Sequence, residues 1–489
     1  MSSQVFHQAA AVMAELARLG VVPTGITTDS RRVLPGMVFA AYPGAVHDGR
    51  EFIQQAWAAA AAAVVWEADG SEGMTLPTGK IGFPVEGLKQ QVSELAGAIY
   101  DEPSQAMRII GVTGTNGKTS CTHWLAQAFN RAGQRAAVMG TLGNGIPPHL
   151  IPTSRTTDDA AVLQQQLAGY RDAAVDVVAM EVSSEGLDQG RVNGLHFDVA
   201  LLTNLSRDHL DYHGDMAHYA AVKARLFSWP HLRAAVLNAD DKFGSTLLQS
   251  AVVCSSHVVS YGFGAEATVR GSALVLTSES THMRVDTPWG HAQLSAQLLG
   301  RFNAYNLLAA LSVLLVCDMT LEQAVLHLSQ VSAPQGRMQT VGGQGKPLVV
   351  VDYAHTPDAL ENVLLTLREM LDGGKLYCVF GCGGDRDAGK RPLMGAIVSR
   401  LADQAVVTSD NPRTEHPADI IGHICEGMSG TQWVEADRAE AIGMILRAAR
   451  ANDVVVIAGK GHENYQEING VAYPFSDMDN AVKGLAIWK

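Results

Sequence analysis

The chain has 489 residues, of which 47% are hydrophobic and 17% are charged, a balance typical of a globular protein. This length exceeds what one hydrophobic core usually serves, so we expect several domains. The formal net charge of -13 argues against a nucleic-acid-binding protein, because contacts with phosphates need a basic surface.

The start of the chain and its longest apolar run predict neither export nor a membrane span. Residues 1–20 lack the basic and apolar regions of a signal peptide and favour an amphipathic helix. The apolar run 56–66 is about half of the roughly 20 residues that a membrane span needs. It predicts instead a helix end followed by a buried strand. We therefore expect a cytoplasmic protein.

The six cysteines show no paired Cys-x-x-Cys spacing and no neighbouring histidine cluster. They are Cys121, Cys254, Cys317, Cys378, Cys382 and Cys425. We expect reduced core thiols, as is usual in a cytosolic protein. Only Cys382 lies in a loop that resembles a functional site, and even there a core thiol is the preferred interpretation over a nucleophile.

The order of predicted strands and helices indicates an α/β protein with three domains. Residues 1–100 predict a small N-terminal α/β domain. Residues 101–333 contain near-continuous apolar strands followed by helices, which predicts a central domain with a mainly parallel sheet. The segment GVTGTNGKTS within it makes this a P-loop ATPase domain. Alternation within 265–298 predicts a short antiparallel part before a helix near Asn303. A second series of strands and helices in 334–489 predicts a Rossmann-like C-terminal domain.

The segment GVTGTNGKTS, residues 111–120, predicts a phosphate-binding loop because it follows a strand and opens a helix. The strict P-loop spacing would need glycine at Val112, and the leading Gly111 lies one residue upstream. Lys118 would neutralise phosphate charge, and Thr119 would bind Mg²⁺. The predicted nucleotide-binding residues of this loop are Gly114, Thr115, Asn116, Gly117, Lys118, Thr119 and Ser120.

Two further side chains are candidates for metal ligands. Glu181 ends an apolar strand, where a carboxylate can complete a Mg²⁺ site beside a phosphate loop, although it could also cap a helix. His209 could supply a nitrogen to a second ion, although a lone loop histidine is more often only hydrogen-bonded.

The chain resembles the Mur ligases of peptidoglycan precursor synthesis. The motifs that carry the resemblance follow in the family's order: GVTGTNGKTS, EVSSEGL, TNLSRDHLDYHG, NADD, GRFNAYNLLAA, VDYAHTPDAL, GCGGDRDAGKRPLMG, DNPR and GKGHE. They span essentially the whole chain. The resemblance implies that the N-terminal domain holds the UDP end of the substrate, the central domain holds ATP, and the C-terminal domain brings the amino acid.

The resemblance also implies the reaction. ATP would phosphorylate the D-glutamyl γ-carboxylate of UDP-N-acetylmuramoyl-L-alanyl-D-glutamate, and the amine of meso-2,6-diaminopimelate would then attack the acyl phosphate, with release of ADP and phosphate. The implied cofactors are ATP and two Mg²⁺ ions. The partners would be these small molecules, without nucleic acid or a membrane span, and we expect a monomer.

The position of Lys223 matches the lysine that this family carries as a CO₂-derived carbamate. The helical pattern alone favours a surface lysine there. A carbamate would replace a cation with a carboxylate that can hold a second Mg²⁺. The implied catalytic residues are Lys118, Glu181, His209 and Lys223, and the implied metal ligands are Thr119, Glu181, His209 and the carbamate of Lys223.

Other family positions carry over residue by residue. Asn306 and Asp352 resemble the adenine-side and ribose contacts, and Arg337 resembles the arginine that reaches the nucleotide on domain closure. The contacts implied for the UDP-sugar and its peptide are Thr28, Ser30, Ala45, Val46, His47, Arg155, Thr156, Thr157, Ser183, Gln189 and Arg191. The sequence departs from the family pattern twice, in the TTDD segment at 156–159 and at Glu185, where a histidine is often found.

The DNPR segment addresses which amino acid is added. Diaminopimelate differs from lysine by a distal carboxylate, which the planar fork of Arg413 can bind through two hydrogen bonds. A surface salt bridge is the alternative role for this arginine. The resemblance adds that relatives that add lysine lack this arginine in the motif. Glu463 would accept from the distal ammonium. The implied diaminopimelate-binding residues are Arg386, Asp410, Asn411, Pro412, Arg413, Gly459 and Glu463.

Four other functions remain as alternatives. They are a lysine-adding relative, a ligase similar to folylpolyglutamate synthase, a non-catalytic nucleotide-binding scaffold and an NAD-binding oxidoreductase. The N-terminal domain and DNPR argue against the second, and the clustered charged residues of the site argue against the scaffold. The oxidoreductase rests on GCGGDR at 381–386, which lacks the full G-x-G-x-x-G spacing.

Overall fold

The computed structural model describes residues 5–44, 47–71, 74, 76–153, 155–255, 257–277, 280–371, 373–430 and 432–488. Two residues predicted to contact the UDP-sugar, Ala45 and Val46, lie outside the described residues. The described part contains sheets of four, eleven, six and two strands. Each of the three larger sheets takes its strands from one of the segments 1–100, 101–333 and 334–489, whose boundaries stay predictions.

The first sheet is parallel, with strand order β1-β2-β3-β4. The elements of this unit are α1 (Ala9–Arg18), β1 (Gly25–Thr27), β2 (Met37–Ala41), α2 (Ile53–Ala58), β3 (Ala63–Glu67), β4 (Gly82–Val85) and α3 (Leu88–Ile99). α1 and α3 pack against each other, and the apolar face of α1 is buried through Val12 and Leu16. The predicted amphipathic helix, and the helix end followed by a buried strand in 56–66, are therefore confirmed.

The eleven-stranded sheet forms the centre of the molecule, with strand order β15-β14-β13-β12-β11-β10-β5-β9-β6-β7-β8. Its first elements are β5 (Arg108–Thr113), α4 (Lys118–Arg131), β6 (Ala136–Gly140), β7 (Gly143–Ile146), β8 (His149–Ile151), α5 (Ala160–Asp172), β9 (Val177–Glu181), α6 (Ser184–Asp188), β10 (Val199–Leu202), α7 (Leu210–His213) and α8 (Met216–Ala224). The rest are β11 (Ala234–Asn238), α9 (Lys242–Leu248), β12 (His257–Gly262), β13 (Val269–Leu276), β14 (Thr281–Thr287), β15 (Gly290–Ala296), α10 (Arg301–Val316) and α11 (Leu321–Leu328).

The central strands are parallel, and both ends of this sheet are antiparallel. The antiparallel part at β13, β14 and β15 confirms the prediction from alternation in 265–298. The hairpin strands β7 and β8 were not predicted, because the segment from Gly143 to Ile151 is short and glycine-rich. α10 packs on α4 and is buried nearly all round, as expected for a helix that is apolar on every face.

The third sheet has strand order β16-β17-β21-β18-β19-β20 and is parallel except at β16. A separate antiparallel hairpin, β22 and β23, follows β21. The elements are β16 (Gln339–Gly342), β17 (Leu348–Asp352), α12 (Pro357–Glu369), β18 (Leu376–Phe380), α13 (Lys390–Leu401), β19 (Gln404–Val407), α14 (Pro417–Glu426), β20 (Trp433–Val434), α15 (Arg438–Ala448), β21 (Val454–Ala458), β22 (Tyr465–Ile468), β23 (Val471–Pro474) and α16 (Asp477–Ala486). The α/β fold class is confirmed.

All six cysteines are free, and four of them, including Cys382, are buried. Burial raises the pKa of the Cys382 thiol to about 12, which supports the core-thiol interpretation over a nucleophile. Cys254 differs from the expectation because it is exposed. Among the helices of the described residues, none is both long and apolar enough to cross a membrane.

Candidate active site

The predicted phosphate loop lies between β5 and α4, at the carboxyl end of the central strands. Gly114 and Gly117 have φ angles of 142° and 87°, a backbone region that favours glycine. A Cβ atom at Gly114 would also clash with the Thr203 hydroxyl. No side chain caps the N-terminus of α4, so its first N–H groups remain available to an anion.

Two lysines converge on the carbonyl oxygen of Gly114. Lys118 Nζ lies 2.8 Å from it and 2.9 Å from the carbonyl oxygen of Thr115, and Lys223 Nζ lies 3.0 Å from the Gly114 oxygen. Lys223 is 1% exposed, so the surface position that the helical pattern favoured is wrong. Burial, and then the charge of Lys118, hold the pKa of Lys223 well below its ordinary value. Burial likewise lowers the pKa of Lys118.

Tyr219, one turn before Lys223 on α8, connects this lysine to the phosphate loop. Its hydroxyl lies 3.2 Å from the Thr115 hydroxyl. Its ring centroid lies 4.7 Å from Lys223 Nζ, close enough for a cation–π contact. No sequence pattern indicates Tyr219, because its partner Thr115 is far away along the chain.

The two predicted ligands of a first metal ion are both beside this loop. Glu181 ends β9 and is 1% exposed, and its carboxylate accepts hydrogen bonds from the Thr141 N–H at 2.9 Å and the Thr141 hydroxyl at 3.2 Å. Neither hydrogen bond caps a helix, which was the alternative role considered for Glu181. The Thr119 hydroxyl accepts from Arg337 Nη2 at 3.1 Å.

His209 lies between two carboxylates. Its Nδ1 is 2.9 Å from Glu185 Oε1, and its Nε2 is 3.3 Å from Asp208 Oδ2. Burial alone would raise the pKa of the Glu185 carboxyl, but the hydrogen bond and charge of His209, with Lys223 nearby, hold it well below its ordinary value. Asp208 was missed in the sequence, although it stands next to His209 in the same motif.

The described residues contain no group of three or more His, Cys, Asp or Glu side chains that could hold a metal ion unaided. Mg²⁺ differs from most metals in this respect, because proteins usually bind it through one or two carboxylates together with substrate phosphates. Thr119 and Glu181 therefore fit one such ion. A second ion at His209 would need an additional anionic oxygen, which unmodified Lys223 does not supply.

A cavity of about 290 Å³ adjoins the phosphate loop. It brings together the predicted nucleotide-binding residues Asn116, Gly117, Ser120, Asn306, Arg337 and Asp352. Burial raises the pKa of Asp352, whose Oδ2 accepts a hydrogen bond from the Met338 N–H at 2.8 Å.

The C-terminal segment 334–489, which contains the third sheet, contacts the phosphate loop. Asp358, at the start of α12, accepts hydrogen bonds from Asn116 Nδ2 at 3.1 Å and from the Ser206 hydroxyl at 3.3 Å. Arg337, which reaches Thr119, lies 4.7 Å from the ring centroid of Tyr353. The phosphate loop therefore lies between the central and C-terminal segments.

A larger cavity of about 1320 Å³ lies between the first sheet and the central sheet. It is lined by the predicted substrate contacts Thr28, Ser30, His47, Arg155, Gln189 and Arg191. Thr156, Thr157 and Ser183 do not line it but lie near Glu181. Thr156 Oγ1 is 3.0 Å from Thr141 Oγ1, Thr157 Oγ1 donates to the Glu181 carbonyl at 3.0 Å, and Ser183 caps α6.

The unusual TTDD segment has a structural explanation. Asp159 caps α5 through the Ala161 N–H at 3.0 Å and accepts a hydrogen bond from the Thr28 hydroxyl at 3.1 Å. Asp158 accepts from Asn144 Nδ2 at 2.9 Å. The two aspartates thus tie the wall of the large cavity to the N-terminal unit and to the β7 hairpin.

The predicted amino-acid site gathers around Asn411. Its Nδ2 donates to Glu463 Oε2 at 2.8 Å, and its Oδ1 accepts from Lys460 Nζ at 2.7 Å. Lys460, which is fully buried and also lies 3.1 Å from Glu463, was missed although it belongs to the GKGHE motif. A Cβ at Gly459 would lie 2.6 Å from Asp410 Oδ2, so only glycine fits there.

Arg413 is held in place by several contacts. Its φ angle is 51°, in the left-handed region that a non-glycine residue seldom adopts. Its Nη1 donates to the carbonyl oxygen of Gly384 at 2.7 Å, and its Nε lies 3.2 Å from Glu467 Oε2. A Cβ built on Gly383 would lie near both Arg413 and Arg386, and one on Gly384 would clash with the Pro412 carbonyl. These contacts place Arg386, Pro412 and Arg413 beside one another.

Three domain families match the chain along its length. The Mur ligase family catalytic domain matches residues 23–100, the Mur ligase middle domain matches residues 112–314, and the Mur ligase glutamate ligase domain matches residues 336–461.

Individual proteins agree with these matches. The chain is 50% identical over 479 residues to a UDP-N-acetylmuramoyl-L-alanyl-D-glutamate--2,6-diaminopimelate ligase of Chromobacterium violaceum, covering 97% of this chain and 96% of that protein. It matches a solved structure of a ligase of the same name with a TM-score of 0.68, 38% identity and 95% of each chain covered.

A folylpolyglutamate synthase of Mycobacterium tuberculosis, solved with ADP and AMPPCP, shares the fold only. It is 20% identical with a TM-score of 0.64 and covers 76% of this chain and 92% of that one. The family matches extend through the N-terminal segment as well, and half of all aligned positions are identical in the Chromobacterium violaceum protein. This chain belongs to the Mur ligase family.

Proposed function

We propose that this chain is an ATP-dependent ligase that joins meso-2,6-diaminopimelate to the D-glutamyl γ-carboxylate of UDP-N-acetylmuramoyl-L-alanyl-D-glutamate. The observation that carries the proposal is the convergence of Lys118 and Lys223 on the Gly114 carbonyl, at an uncapped helix N-terminus. The nucleotide cavity adjoins this point. The relative that shares half of its aligned residues bears the name of this activity.

The first step is phosphoryl transfer. The substrate carboxylate oxygen attacks the γ-phosphorus of ATP, the bond to ADP breaks, and an acyl phosphate forms. Backbone N–H groups of the loop hold the phosphate oxygens, and Lys118 leaves the carbonyls of Gly114 and Thr115 to neutralise their charge. Mg²⁺, when bound, neutralises further phosphate charge, with Thr119 and Glu181 as ligands.

The second step is acyl transfer. The amine nitrogen attacks the acyl carbon, phosphate leaves, and the nitrogen loses a proton. The contacts of Asp358 with Asn116 and of Arg337 with Thr119 position the C-terminal segment to bring the amine to the acyl phosphate.

The properties of Lys223 support a carbamate on its side chain. Only the neutral amine adds CO₂, and burial together with Lys118 favours that form. Carbamate formation would place a negative charge beside Lys118, which attracts it. It would also supply the anionic oxygen that a second Mg²⁺ at His209 needs.

Two features support the choice of diaminopimelate. Arg413 offers a guanidinium to the distal carboxylate, and Glu463 lies on the same surface for the distal ammonium. Burial raises the pKa of Glu463, while Lys460 opposes this effect.

All three binding regions come from one chain, which supports action as a monomer, and the use of ATP supports a cytoplasmic location.

The test supplies the purified protein with ATP, Mg²⁺ and UDP-N-acetylmuramoyl-L-alanyl-D-glutamate, and measures phosphate release with meso-diaminopimelate, L-lysine, D-glutamate or no amine. We expect release with diaminopimelate alone. Release with lysine instead would keep the ligase and reject the proposed amino acid. No release with any amine, while ATP still binds, would favour the scaffold alternative.

A further inference from the structure

The guanidinium of Arg413 already has a carboxylate partner in this chain. Its Nε lies 3.2 Å from Oε2 of Glu467, on the hairpin strand β22. The two residues are distant in sequence, and neither the DNPR nor the GKGHE segment includes Glu467. A carboxylate at this place is chemically equivalent to the distal carboxylate of the proposed substrate.

The backbone, rather than this ion pair, holds the hairpin against Arg413. The Arg413 N–H donates to the Glu467 carbonyl at 3.1 Å, and the Asn469 N–H donates to the Arg413 carbonyl at 2.8 Å. The Glu467 N–H donates to Asn411 Oδ1 at 3.0 Å. Removal of the Glu467 charge should therefore leave the hairpin in place.

The Glu467 carboxylate is partly exposed to solvent. The side chains of Arg413 and Glu467 are 20% and 33% exposed, so water can hydrate the carboxylate when it leaves the arginine. Glu463 is bound differently, because Lys460 and Asn411 both hold it and it is more deeply placed. Of the two carboxylates, Glu467 has fewer side-chain partners among the described residues and greater access to water.

We propose that Glu467 is a specificity-determining residue that occupies Arg413 in the free enzyme and gives way to the distal carboxylate of the amino-acid substrate. This inference rests on the proposed function. Displacing Glu467 costs free energy, which weakens the binding of diaminopimelate. The Arg413–Glu467 pair also reduces the rejection of lysine, because Arg413 keeps a partner when the ligand lacks a carboxylate.

The test compares Glu467→Gln with the unchanged protein. Isothermal titration with UDP-N-acetylmuramoyl-L-alanyl-D-glutamate and a non-hydrolysable ATP analogue present gives the dissociation constants of meso-diaminopimelate and L-lysine, and steady-state rates give kcat and KM. We expect about two- to fivefold tighter binding of diaminopimelate, as for the loss of one competing exposed ion pair, with a lower KM and unchanged kcat. Lysine should bind no more tightly than before.

Two controls separate competition from a general charge effect. Glu440→Gln removes the same charge from an exposed pair with Arg447 at 3.8 Å on α15 and should leave both affinities unchanged. In an Arg413→Ala background, Glu467→Gln should lose its effect on diaminopimelate. Glu467→Asp, which keeps the charge on a shorter side chain, provides a second variant if Glu467→Gln does not fold.

The outcomes are distinguishable. Weaker binding of diaminopimelate by Glu467→Gln would show that Glu467 holds the distal ammonium, and equal binding would show a merely structural pair; both overturn the inference. An unchanged protein that makes no product with diaminopimelate would instead overturn the proposed function itself.

Discussion

The carboxylate of Glu185 lies 2.9 Å from Nδ1 of His209. Glu185 is the residue that stands where the family pattern often has a histidine. His209 itself has a left-handed backbone conformation with a φ of 54°. A histidine that binds a metal through one nitrogen usually donates its other N–H to a carboxylate, which fixes the ring. Glu185 has the position to do this for His209.

We expect Glu185→Gln to weaken the proposed second metal site, because a neutral amide orients the His209 ring less strongly. The Mg²⁺ concentration for half-maximal activity should rise about tenfold. Electron paramagnetic resonance of bound Mn²⁺ measures the same affinity without turnover. Glu322→Gln, which removes a charge from the first turn of α11, is the control, and identical Mn²⁺ binding by Glu185→Gln would rule out this role.

Lys223→Ala should be nearly inactive, because it removes the side chain proposed to carry the carbamate. Acetate or another short carboxylate should restore part of the rate. Phosphate release measures both effects, and ¹³C NMR of the unchanged protein with labelled bicarbonate reports the carbamate directly. Lys242→Ala, at an exposed position, should keep normal activity. Normal turnover of Lys223→Ala would remove the proposed role.

Arg413→Ala should lose at least about 2 kcal/mol of discrimination between diaminopimelate and lysine, as when one partner of a desolvated charge pair is truncated. The ratio of the two kcat/KM values measures this loss. Arg447→Ala, which truncates an exposed arginine on α15, should leave the ratio unchanged. Unchanged selectivity in Arg413→Ala would place the carboxylate-binding group elsewhere.

Stability in acid should depend on Glu415, whose carboxylate lies 2.7 and 2.9 Å from the two terminal nitrogens of buried Arg391. The hydrogen bond from Arg391 holds the pKa of Glu415 below its ordinary value of 4.5. A lowered pKa means that the pair stabilises the fold above the ordinary value, and that this contribution is lost as the pH falls through the lower, folded-state pKa.

Glu415→Gln should therefore cost about 1–2 kcal/mol at neutral pH and progressively less below about pH 4.5. Urea-unfolding midpoints of both proteins between about pH 7 and pH 3 give the comparison. A difference that stays constant over this range would contradict the assignment of the effect to the charged pair.

Local patterns in the sequence were sufficient for most of the strands and helices and for the phosphate loop. The residues that build this loop, from Gly114 to Ser120, are consecutive, so their spacing already specifies strand, turn and helix. The apolar runs of the central sheet likewise identified parallel strands, whose ends collect ligand-binding residues. The short hairpin of β7 and β8 was not predicted, because its glycines carry no alternating pattern.

The sequence by itself determined the α/β class, the phosphate loop and, through the resemblance, the family. Only the tertiary structure decided which side chains meet. Lys223 looked like a surface residue on its helix until packing of α8 against the loop buried it, and the pairs Glu185–His209 and Arg413–Glu467 join segments that no sequence period connects. A periodic pattern reports how a segment faces its own core, whereas charge pairing and pKa depend on groups that the fold brings together from distant parts of the chain.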